Sequence, residues 1–502
     1  MASTQFKPIR VSSASSNSST TPTPSTLSEM IRSRRTLVYL TSTLTVILYT
    51  LILRLTHHPT SSIRPHHPRP YVDTFNPLRG GIPTYYGNTL GYATDPRYTR
   101  VFNPSILPLP HHRSHFILAS RLAHTPITFN STTREDDEEE YYQSDILLCI
   151  AVINLLQRRF ECIHEPRVMQ VDVDVLRRLR YEKPRDQGGW YRFIGPEDPR
   201  LVWSDGGDPV LVFGMNAQGE GKYRSVWVTD VRSVLPELRN YTYGEDRDDK
   251  VGNMEGVPWD SRQLEMVGEW NGEMEKNWSP FISTDNRMLF QTSLVPRRIA
   301  RYHDDPFDQQ ENKLTMQESV LITDRNDFKS CFGQWFPGLL QNDPIDLGFH
   351  QATNILRVTL TPTPPQQRHS DEEPKDWIYM QLFHVKHKQT NRYRLFVVTY
   401  TRDMQVRSMV GQLVLPGHTP MDAVQYVTGM NYLLADRHSE AGKKSGREYE
   451  RWLGRDHGYL DSPLLLSYGY DDRYGGALFL DPGMLLREEL FCERRAASGE
   501  RV

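Results

Sequence analysis

Apolar residues alternate with polar ones over most of this sequence, so its dominant period is two residues rather than the 3.6 of a helix. Strand-like runs such as HFILAS, PVLVFGM, YRLFVVTY and GALFLD recur along it, with Gly, Asn, Asp and Pro between them. Two stretches, DVDVLRRLR and PMDAVQYVTGMNYLLADRH, are the best helix candidates, and neither alternates with strands as a βαβ fold requires. The sequence therefore predicts a mainly β protein.

The strand-like runs fall into clusters. These lie near residues 100–165, 190–240, 278–325, 350–412 and 462–485, and each holds about the number of strands in one propeller blade. We therefore expect an all-β fold, a five-bladed β-propeller over residues 80–490 with its N- and C-terminal blades adjacent. Because no clean repeat period is visible, a β-sandwich remains the structural alternative.

The N-terminal part of the chain has a different composition. A Ser/Thr/Pro-rich stretch predicts a disordered cytosolic tail over 1–35, and the uncharged run TLVYLTSTLTVILYTLIL predicts a single transmembrane anchor over 36–56. A Pro/His-rich linker follows over 57–79, and 491–502 is a C-terminal tail. Arginines crowd the N-terminal side of the run, which favours a type II protein of the Golgi or another secretory-pathway membrane. The alternative for the run is a buried core helix.

Charge and cysteine content narrow the possible partners. The 59 Lys and Arg nearly balance the 62 Asp and Glu, so a net charge of -3 gives no field that would gather nucleic acid. The four cysteines show no CxxC spacing, which makes a structural zinc site a poor expectation. Cys149 and Cys162 lie in two runs that antiparallel pairing could join, or they are free thiols. Asn130 and Asn240 begin glycosylation sequons, as a lumenal domain would carry.

Each cluster opens with polar residues placed just before an apolar strand. The openings are FNPSIL, EDPRLV, NWSPFI, HQATNI and LDSPLLLSYG. In a propeller the innermost strands begin around the central channel, so these openings would surround one pocket. The candidate substrate-binding and catalytic residues are Asn103, Glu197, Asp198, Arg200, Lys276, Asn277, His350 and Tyr468.

These motifs also carry a resemblance to a known family. GPEDPR, an upstream NPS, a mid-chain EKNWSPF, a later HQAT and a terminal SYG followed by Asp resemble the five-bladed propeller enzymes that act on β-mannosides. That superfamily includes mannoside phosphorylases and related mannosyltransferases, and this sequence looks most like a fungal-type, membrane-anchored β-mannosyltransferase. The resemblance covers residues 80–485 by order of motifs.

The resemblance implies an activity and roles. It implies transfer of mannose from an activated donor, GDP-mannose, to a mannoside or glycan acceptor, with a β-mannosidic linkage as product and no cofactor or metal. The Asp of EDPR is the catalytic acid or base in the family, which transfers to Asp198, and Glu197 and Arg200 would hold sugar hydroxyls and orient that carboxylate. The basic stretch FHVKHKQTNRYR lies in a part of the chain comparable to the phosphate-binding part of the phosphorylases; its His384, Lys386 and Arg394 are the candidates for the donor phosphate.

Two other classes of protein remain open from the sequence. In a metal-dependent α/β nucleotide-sugar transferase, Asp172 and Asp174 of DVD would bind manganese, and a chelator would abolish activity. In a non-catalytic glycan-binding propeller, binding would occur without turnover and would tolerate Asp198→Asn.

Overall fold

The computed structural model describes a part of the chain. The described residues are 76–77, 82–86, 101–109, 115–128, 140–154, 159–169, 193–217, 224–242, 261–266, 277–302, 313–318, 327–342, 347–362, 376–387, 392–415, 425–433, 456–470 and 474–492. The chain divides into two units, Met1–His67 and Pro68–Val502, and all of these residues belong to the second. The expected N-terminal tail and anchor lie outside them. In the described ranges, no helix is long and apolar enough to cross a membrane.

Strands dominate the described ranges. In chain order they are β1 (Asn76–Pro77), β2 (Ile82–Tyr86), β3 (Val101–Pro108), β4 (His115–Thr128), β5 (Glu140–Asn154), β6 (Arg159–Cys162), β7 (Arg167–Met169), β8 (Phe193–Ile194), β9 (Glu197–Trp203), β10 (Pro209–Asn216), β11 (Arg224–Asp230), β12 (Arg262–Met266), β13 (Ser279–Ile282), β14 (Met288–Leu294), β15 (Arg297–Tyr302), β16 (Lys313–Glu318), β17 (Leu347–Gln351), β18 (Leu356–Thr359), β19 (Trp377–His387), β20 (Arg392–Tyr400), β21 (Val406–Val414), β22 (Gln425–Tyr432), β23 (His457–Tyr459), β24 (Leu464–Tyr470), β25 (Tyr474–Leu480) and β26 (Leu490–Phe491).

Helices are short and lie between the strands. They are α1 (Val231–Val234), a 3-10 turn (Pro236–Leu238), α2 (Arg239–Thr242), α3 (Asp327–Trp335), α4 (Pro337–Asn342) and α5 (Pro482–Leu485). The expectation of a mainly β protein is confirmed.

The described strands form five groups, mostly of antiparallel neighbours along the chain, although β8 pairs with β5 in parallel and β2 joins the fifth group from before β3. The first group is β3-β4-β5-β6, with β7 and β8 also on β5; the second is β9-β10-β11-β12; the third is β13-β14-β15-β16. The fourth is β18-β19-β20-β21, with β17 on β19, and the fifth is β22-β24-β25-β2. A parallel pairing of β12 with β16 joins the second and third groups into one sheet.

Five apolar cores separate the groups, and each core lies between two of them. The cores lie between the first and second, second and third, third and fourth, and fourth and fifth groups, and a last one lies between the fifth and the first. Along β10, Leu211 and Phe213 enter one core, whereas Val210 and Val212 enter the next. Both faces of such strands are buried, which explains their nearly continuous apolar runs.

The first strand of each group is linked to the first strand of another. The Leu201 amide of β9 donates to Ser105 Oγ of β3 at 2.8 Å, and Asn431 Nδ2 of β22 donates to the Ile106 carbonyl of β3 at 2.8 Å. The Ile355 amide, just before β18, donates to the Pro280 carbonyl of β13 at 3.1 Å. The starts of these strands are thereby brought toward one region.

One expected helix is a strand. Residues 425–432 of the stretch PMDAVQYVTGMNYLLADRH form β22, and β22 rather than β24 is the first strand of the fifth group. Val427, Met430 and Tyr432 of β22 are buried in the core between the fourth and fifth groups. Tertiary packing therefore overrides the helix-like spacing. The other expected helix, DVDVLRRLR, lies outside the described residues.

All four cysteines are paired. Cys149 of β5 is bonded to Cys162 of β6, and Cys331 of α3 is bonded to Cys492, which directly follows β26. Of the two options for Cys149 and Cys162, the structure thus has the disulfide. The second bond ties residues at 491–492, expected to belong to a tail, to a helix 161 positions earlier.

Candidate active site

Three Asx residues adopt the same unusual backbone conformation where three successive groups begin. Asn103 has φ 49°, Asp198 has φ 50° and Asn277 has φ 66°. Asn and Asp enter this left-handed region more readily than other residues with a side chain, because a short polar side chain can bond locally. The pairing register of β9 with β10 also shifts at Asp198, as the register of β3 with β4 does at Asn103. Such bulges re-aim side chains.

The carboxylate of Glu197 is held on both oxygens. Arg121 Nη2, from β4 of the first group, lies 2.5 Å from Glu197 Oε1, and Arg224 Nη2, from β11 of the second, lies 2.8 Å from Oε2. Both guanidinium groups are largely buried. Glu197 is therefore an internal counter-ion that joins two groups of strands, whereas the sequence predicted that it holds sugar hydroxyls.

Asp198 is more open than its neighbour. Its side chain is 19% exposed, and Arg121 Nη1 lies 3.4 Å from its Oδ1. Arg121 is itself oriented by Ser144, whose Oγ accepts from Arg121 Nε at 3.0 Å. Among the described residues no hydrogen bond is found to Oδ2 of Asp198. One oxygen of this carboxylate is thus placed by a guanidinium group, and the other can meet a ligand.

The residues before Glu197 are constrained by contact with β5. Gly195 has φ +95°, and a Cβ at this position would lie 2.2 Å from the Ser144 carbonyl oxygen. Its amide donates to Asn216 Oδ1 at 3.0 Å. Gly195 therefore fits where no other residue would, and it delivers the chain to Glu197 and Asp198 with Pro196 between. These contacts explain the constrained composition of GPEDPR.

Arg200 connects three groups instead of facing an open pocket. Arg200 is only 3% exposed. Its Nη1 donates to the Trp278 carbonyl at 2.7 Å, and its Nη2 donates to the Gln351 carbonyl at 2.8 Å. Nη2 also lies 3.4 Å from Asn277 Oδ1. Burial lowers the pKa of Arg200 from its ordinary value. Its contacts position the starts of the third and fourth groups, rather than holding sugar hydroxyls directly.

An aromatic wall continues the site on the fourth and fifth groups. Tyr426 of β22 donates from its hydroxyl to Asn277 Oδ1 at 3.1 Å, and its ring stacks on His384 of β19 with centroids 4.9 Å apart. Tyr393 of β20 meets both rings edge-on, at 5.6 Å from His384 and 5.8 Å from Tyr426. Aromatic rings of this kind suit the apolar faces of sugars as well as core packing.

His384 is a neutral member of this wall. Its Nε2 accepts from the Val427 amide at 3.2 Å, so the ring proton belongs on Nδ1. Burial, with smaller contributions from His350 and Arg200, lowers the pKa of His384 to about 3. His384 therefore packs and accepts a hydrogen bond, and does not supply positive charge.

Two further basic residues lie on the same side of the β17–β19 pair. His350 is opposite His384, and Lys386 is opposite Gly348, so the three basic residues share one face. Lys386 Nζ lies 5.4 Å from the Tyr393 ring centroid, and burial lowers the pKa of Lys386. Arg394 of β20 is opposite Val385, which puts it on the other face, where it is exposed. The structure thus separates Arg394 from His384 and Lys386.

The remaining expected residues lie elsewhere. Tyr468 is on β24, the second strand of its group, and its buried ring lies against Gly476. Asn103 packs close to Gly469, where a Cβ would meet Asn103 Oδ1 at 1.7 Å. Lys276 lies outside the described residues, as do Asp172 and Asp174. In the described ranges, no group of three His, Cys, Asp or Glu lies close enough together to hold a metal ion.

Four contributors were not predicted from the sequence: Arg121, Arg224, Tyr393 and Tyr426. Arg121 precedes Glu197 by 76 positions, and Tyr426 follows Asn277 by 149. Their only local signal is a polar or aromatic residue within a strand-like run, and Tyr426 lay in a stretch with helix-like spacing. Register and sheet order, which the sequence does not show, bring them to the site.

No family model matches the chain, and no curated protein matches it in sequence. Solved structures resemble it at low identity. A protein of Bacteroides thetaiotaomicron described as a glycosidase is 10% identical over 76% of this chain and 87% of its own, with a TM-score of 0.33. A protein of Bacteroides ovatus described as a glycoside hydrolase is 11% identical over 82% of this chain and 96% of its own, with a TM-score of 0.35. An N-acetylgalactosamine deacetylase from F. plautii is 9% identical over 81% of this chain and 96% of its own, with a TM-score of 0.36. Their descriptions name glycan-acting enzymes.

The comparison with solved structures corrects the expected activity. Those similar structures are described as glycoside hydrolases and a deacetylase, and none of those named here is a nucleotide-sugar transferase. The expectation of a glycosyltransferase that transfers mannose is therefore wrong. The specific likeness to a fungal β-mannosyltransferase finds no support in them, whereas a glycan-acting enzyme is the coarser description that they share.

Proposed function

We propose that the five strand groups are the blades of a propeller and that the chain is a glycan-processing hydrolase with its site where the first strands begin. The closed succession of five cores, with the last between the fifth and first groups, supports the ring. In a ring of this kind, Asp198, Asn277 and Tyr426 face one concave region, with Arg121 and His350 at its sides.

Asp198 is the proton-transferring group of the proposal. The observation that carries it is that, among the described residues, Asp198 alone combines a left-handed backbone at a strand start with a carboxylate, one of whose oxygens is held by Arg121 and the other not. Cleavage of a glycosidic bond by water requires a group that moves a proton at the leaving oxygen or the attacking water. Oδ2 of Asp198 takes that role.

A hydrolase of the usual kind needs a second carboxylate on the opposite side of the bond. Glu197 does not serve, because both of its oxygens are bound by arginines. Two carboxylates, Asp471 and Asp472, directly follow Tyr470 in the sequence, outside the described residues. Tyr470 ends β24 opposite Gln425, at the edge where β22 begins beside Tyr426. By their place in the sequence directly after β24, Asp471 and Asp472 are the candidates for this second carboxylate.

The lining suits a neutral or polar sugar. Tyr426 and Tyr393 offer ring faces and edges, and Asn277, Arg121 and His350 offer hydrogen-bonding groups. Aromatic faces with a few fixed polar groups are a common way to bind sugar rings by both their apolar and hydroxyl surfaces.

The test is hydrolysis without any activated donor. The full chain is incubated with a panel of aryl glycosides and oligosaccharides, mannosides included, in water enriched in heavy oxygen, and the products are analysed by mass spectrometry. The proposal expects release of sugar from at least one member, with heavy oxygen at the new reducing end. Binding of panel members with no cleavage would instead identify a glycan-binding propeller and overturn the hydrolase proposal.

A further inference from the structure

The segment after β11 carries an Asn-Tyr-Thr sequon on an ordered surface. Asn240 lies in α2 and is exposed, and its side chain has no hydrogen-bonding partner in the described part of the chain. The next residue, Tyr241, packs against the core between the first and second groups, with its ring 5.6 Å from that of His115. Tyr241 is thus an anchor that leaves the neighbouring amide of Asn240 directed away from the core surface.

This segment holds its conformation through its own contacts. Asp230 caps α1 by accepting from the Arg232 amide at 2.8 Å, and Arg232 also pairs with Asp208 at 2.6 Å. Leu238 of the 3-10 turn is fully buried in the same core. Among the described residues, no contact that stabilises the segment uses Asn240, so a bulky group on its amide nitrogen disrupts none of the contacts described above.

The sequon lies at the end of the second group that is remote from Asp198. Strands β9 and β11 run in the same direction, because each is antiparallel to β10. Asp198 is near the start of β9, whereas α1 and α2 follow the end of β11, whose Asp230 is opposite Val210. The five residue-to-residue steps from Asp198 to Trp203 span about 17 Å at 3.3–3.4 Å per residue. A glycan on Asn240 would leave the candidate site open.

A second observation points to the compartment in which such a modification occurs. All four cysteines of the chain are in disulfides, Cys149–Cys162 and Cys331–Cys492. Disulfides of this kind form and persist in oxidising compartments and are rare in the cytosol. In eukaryotic secretory compartments, an Asn-X-Thr sequon whose asparagine is accessible is an acceptor for oligosaccharide.

We infer that Asn240 is an N-glycosylation site and that the described domain matures in an oxidising secretory compartment. The bond formed joins the sugar's anomeric carbon to the Asn240 amide nitrogen; a lipid-linked oligosaccharide, the donor class, loses its diphosphate-lipid group, and the amide nitrogen loses one proton. The inference is independent of the proposed hydrolase activity, because no part of it uses the candidate site.

The experiment is peptide mapping of the full chain produced in a eukaryotic secretory host. Removal of N-glycans by a glycan amidase in heavy-oxygen water converts a modified Asn240 to a heavy Asp, and it increases the mobility of the chain. N240Q is expected to lose one discrete mobility step, T242A to lose the same step, and T242S to keep it, because Ser preserves the sequon. N130Q, at the other sequon, is the matched control and must leave the heavy Asp at position 240.

Two outcomes overturn the inference. An unmodified Asn240 in the folded, disulfide-bonded fraction would show that the sequon is not used. Free thiols at the four cysteines in non-reducing peptide maps would remove the basis for placing the domain in an oxidising compartment. Hydrolysis assays on the same N240Q sample separate this test from the proposed function, because that variant is expected to retain full activity.

Discussion

Asp198 and Asn277 share a left-handed backbone, with φ 50° and 66°, at the starts of two successive groups of strands. The fold therefore uses aspartate and asparagine at equivalent places, and an asparagine at position 198 has a precedent in the same molecule. A change of Asp198 to Asn can therefore remove the carboxylate without altering the backbone conformation that presents it.

The first prediction concerns the backbone at position 198. Asp198→Asn is expected to leave the free energy of unfolding within about 0.5 kcal/mol of the unmodified chain, as a partly exposed substitution in a tolerated conformation does. Asp198→Val is expected to lower it by about 1–2 kcal/mol, because a β-branched residue is strained at positive φ. Urea unfolding of both variants measures the difference. Equal stabilities would show that the left-handed conformation is not maintained.

The second prediction concerns the ion pairs of Glu197. Glu197→Gln removes the charge that both Arg121 and Arg224 face; it leaves the buried Arg224 without its counter-ion and Arg121 with only the more distant Asp198 carboxylate, at 3.4 Å. We expect a loss of about 3–5 kcal/mol in the free energy of unfolding, as for other broken buried pairs. Asp205→Asn, at an exposed turn, is the control and should change little. A change as small as that of the control would show that Glu197 is not the internal counter-ion described here.

The third prediction concerns Gly195. Gly195→Ala places a Cβ 2.2 Å from a backbone oxygen at φ +95°, so we expect a loss of at least about 2 kcal/mol in the free energy of unfolding. Gly206→Ala is the matched control, because its nearest neighbour is a side-chain oxygen of Asp208 at 3.2 Å. Thermal unfolding of the pair is the measurement. Tolerance of alanine at both positions would contradict the close approach to Ser144.

The fourth prediction is a pH dependence of stability from His384. Its pKa is about 3 in the fold against 6.5 for an ordinary histidine, so between these values the unfolded chain binds a proton that the folded chain does not. Stability is therefore complete above pH 6.5 and falls as the pH is lowered, by at most about 1.4 kcal/mol per pH unit from this residue. His384→Gln should make the slope of stability against pH shallower between pH 6 and 4, which unfolding of both chains at a series of pH values measures. An unchanged slope in His384→Gln would contradict its neutral, buried state.

Part of the fold could be read from the sequence because strand openings carry local signals. In FNPS, EDP and KNWSP an Asn or Asp directly precedes a Pro or Trp, and an apolar run follows. The three residues, Asn103, Asp198 and Asn277, share a positive φ in the structure. The fifth opening was misplaced, because Val427 and Met430 lie three residues apart, a spacing that is typical of one face of a helix. They do so within a strand whose two faces are both buried, where the period-two signal is lost.

The site itself could be predicted only in part, since its partners come from distant positions. Asp198 lies in a motif, but Arg121 and Tyr426 reach it or its neighbours only through sheet register. The expected roles of Glu197 and Arg200 did not anticipate their burial, because sequence spacing does not reveal which polar residues meet each other and which remain open. Glu197 and Arg200 bond to the protein, whereas one oxygen of Asp198 receives no hydrogen bond from the described residues.

The most direct test of the central claim is the rate at which Asp198→Asn hydrolyses a glycoside cleaved by the unmodified chain, with binding of the same glycoside measured by calorimetry. Because Asn cannot exchange a proton at this position, the rate is expected to fall by about a hundredfold or more while the fold and the affinity are retained. Asp376→Asn, at an exposed position near the start of β19, is the control and should keep the full rate. An Asp198→Asn chain that hydrolyses the glycoside at the unmodified rate would contradict the proton-transfer role of Asp198.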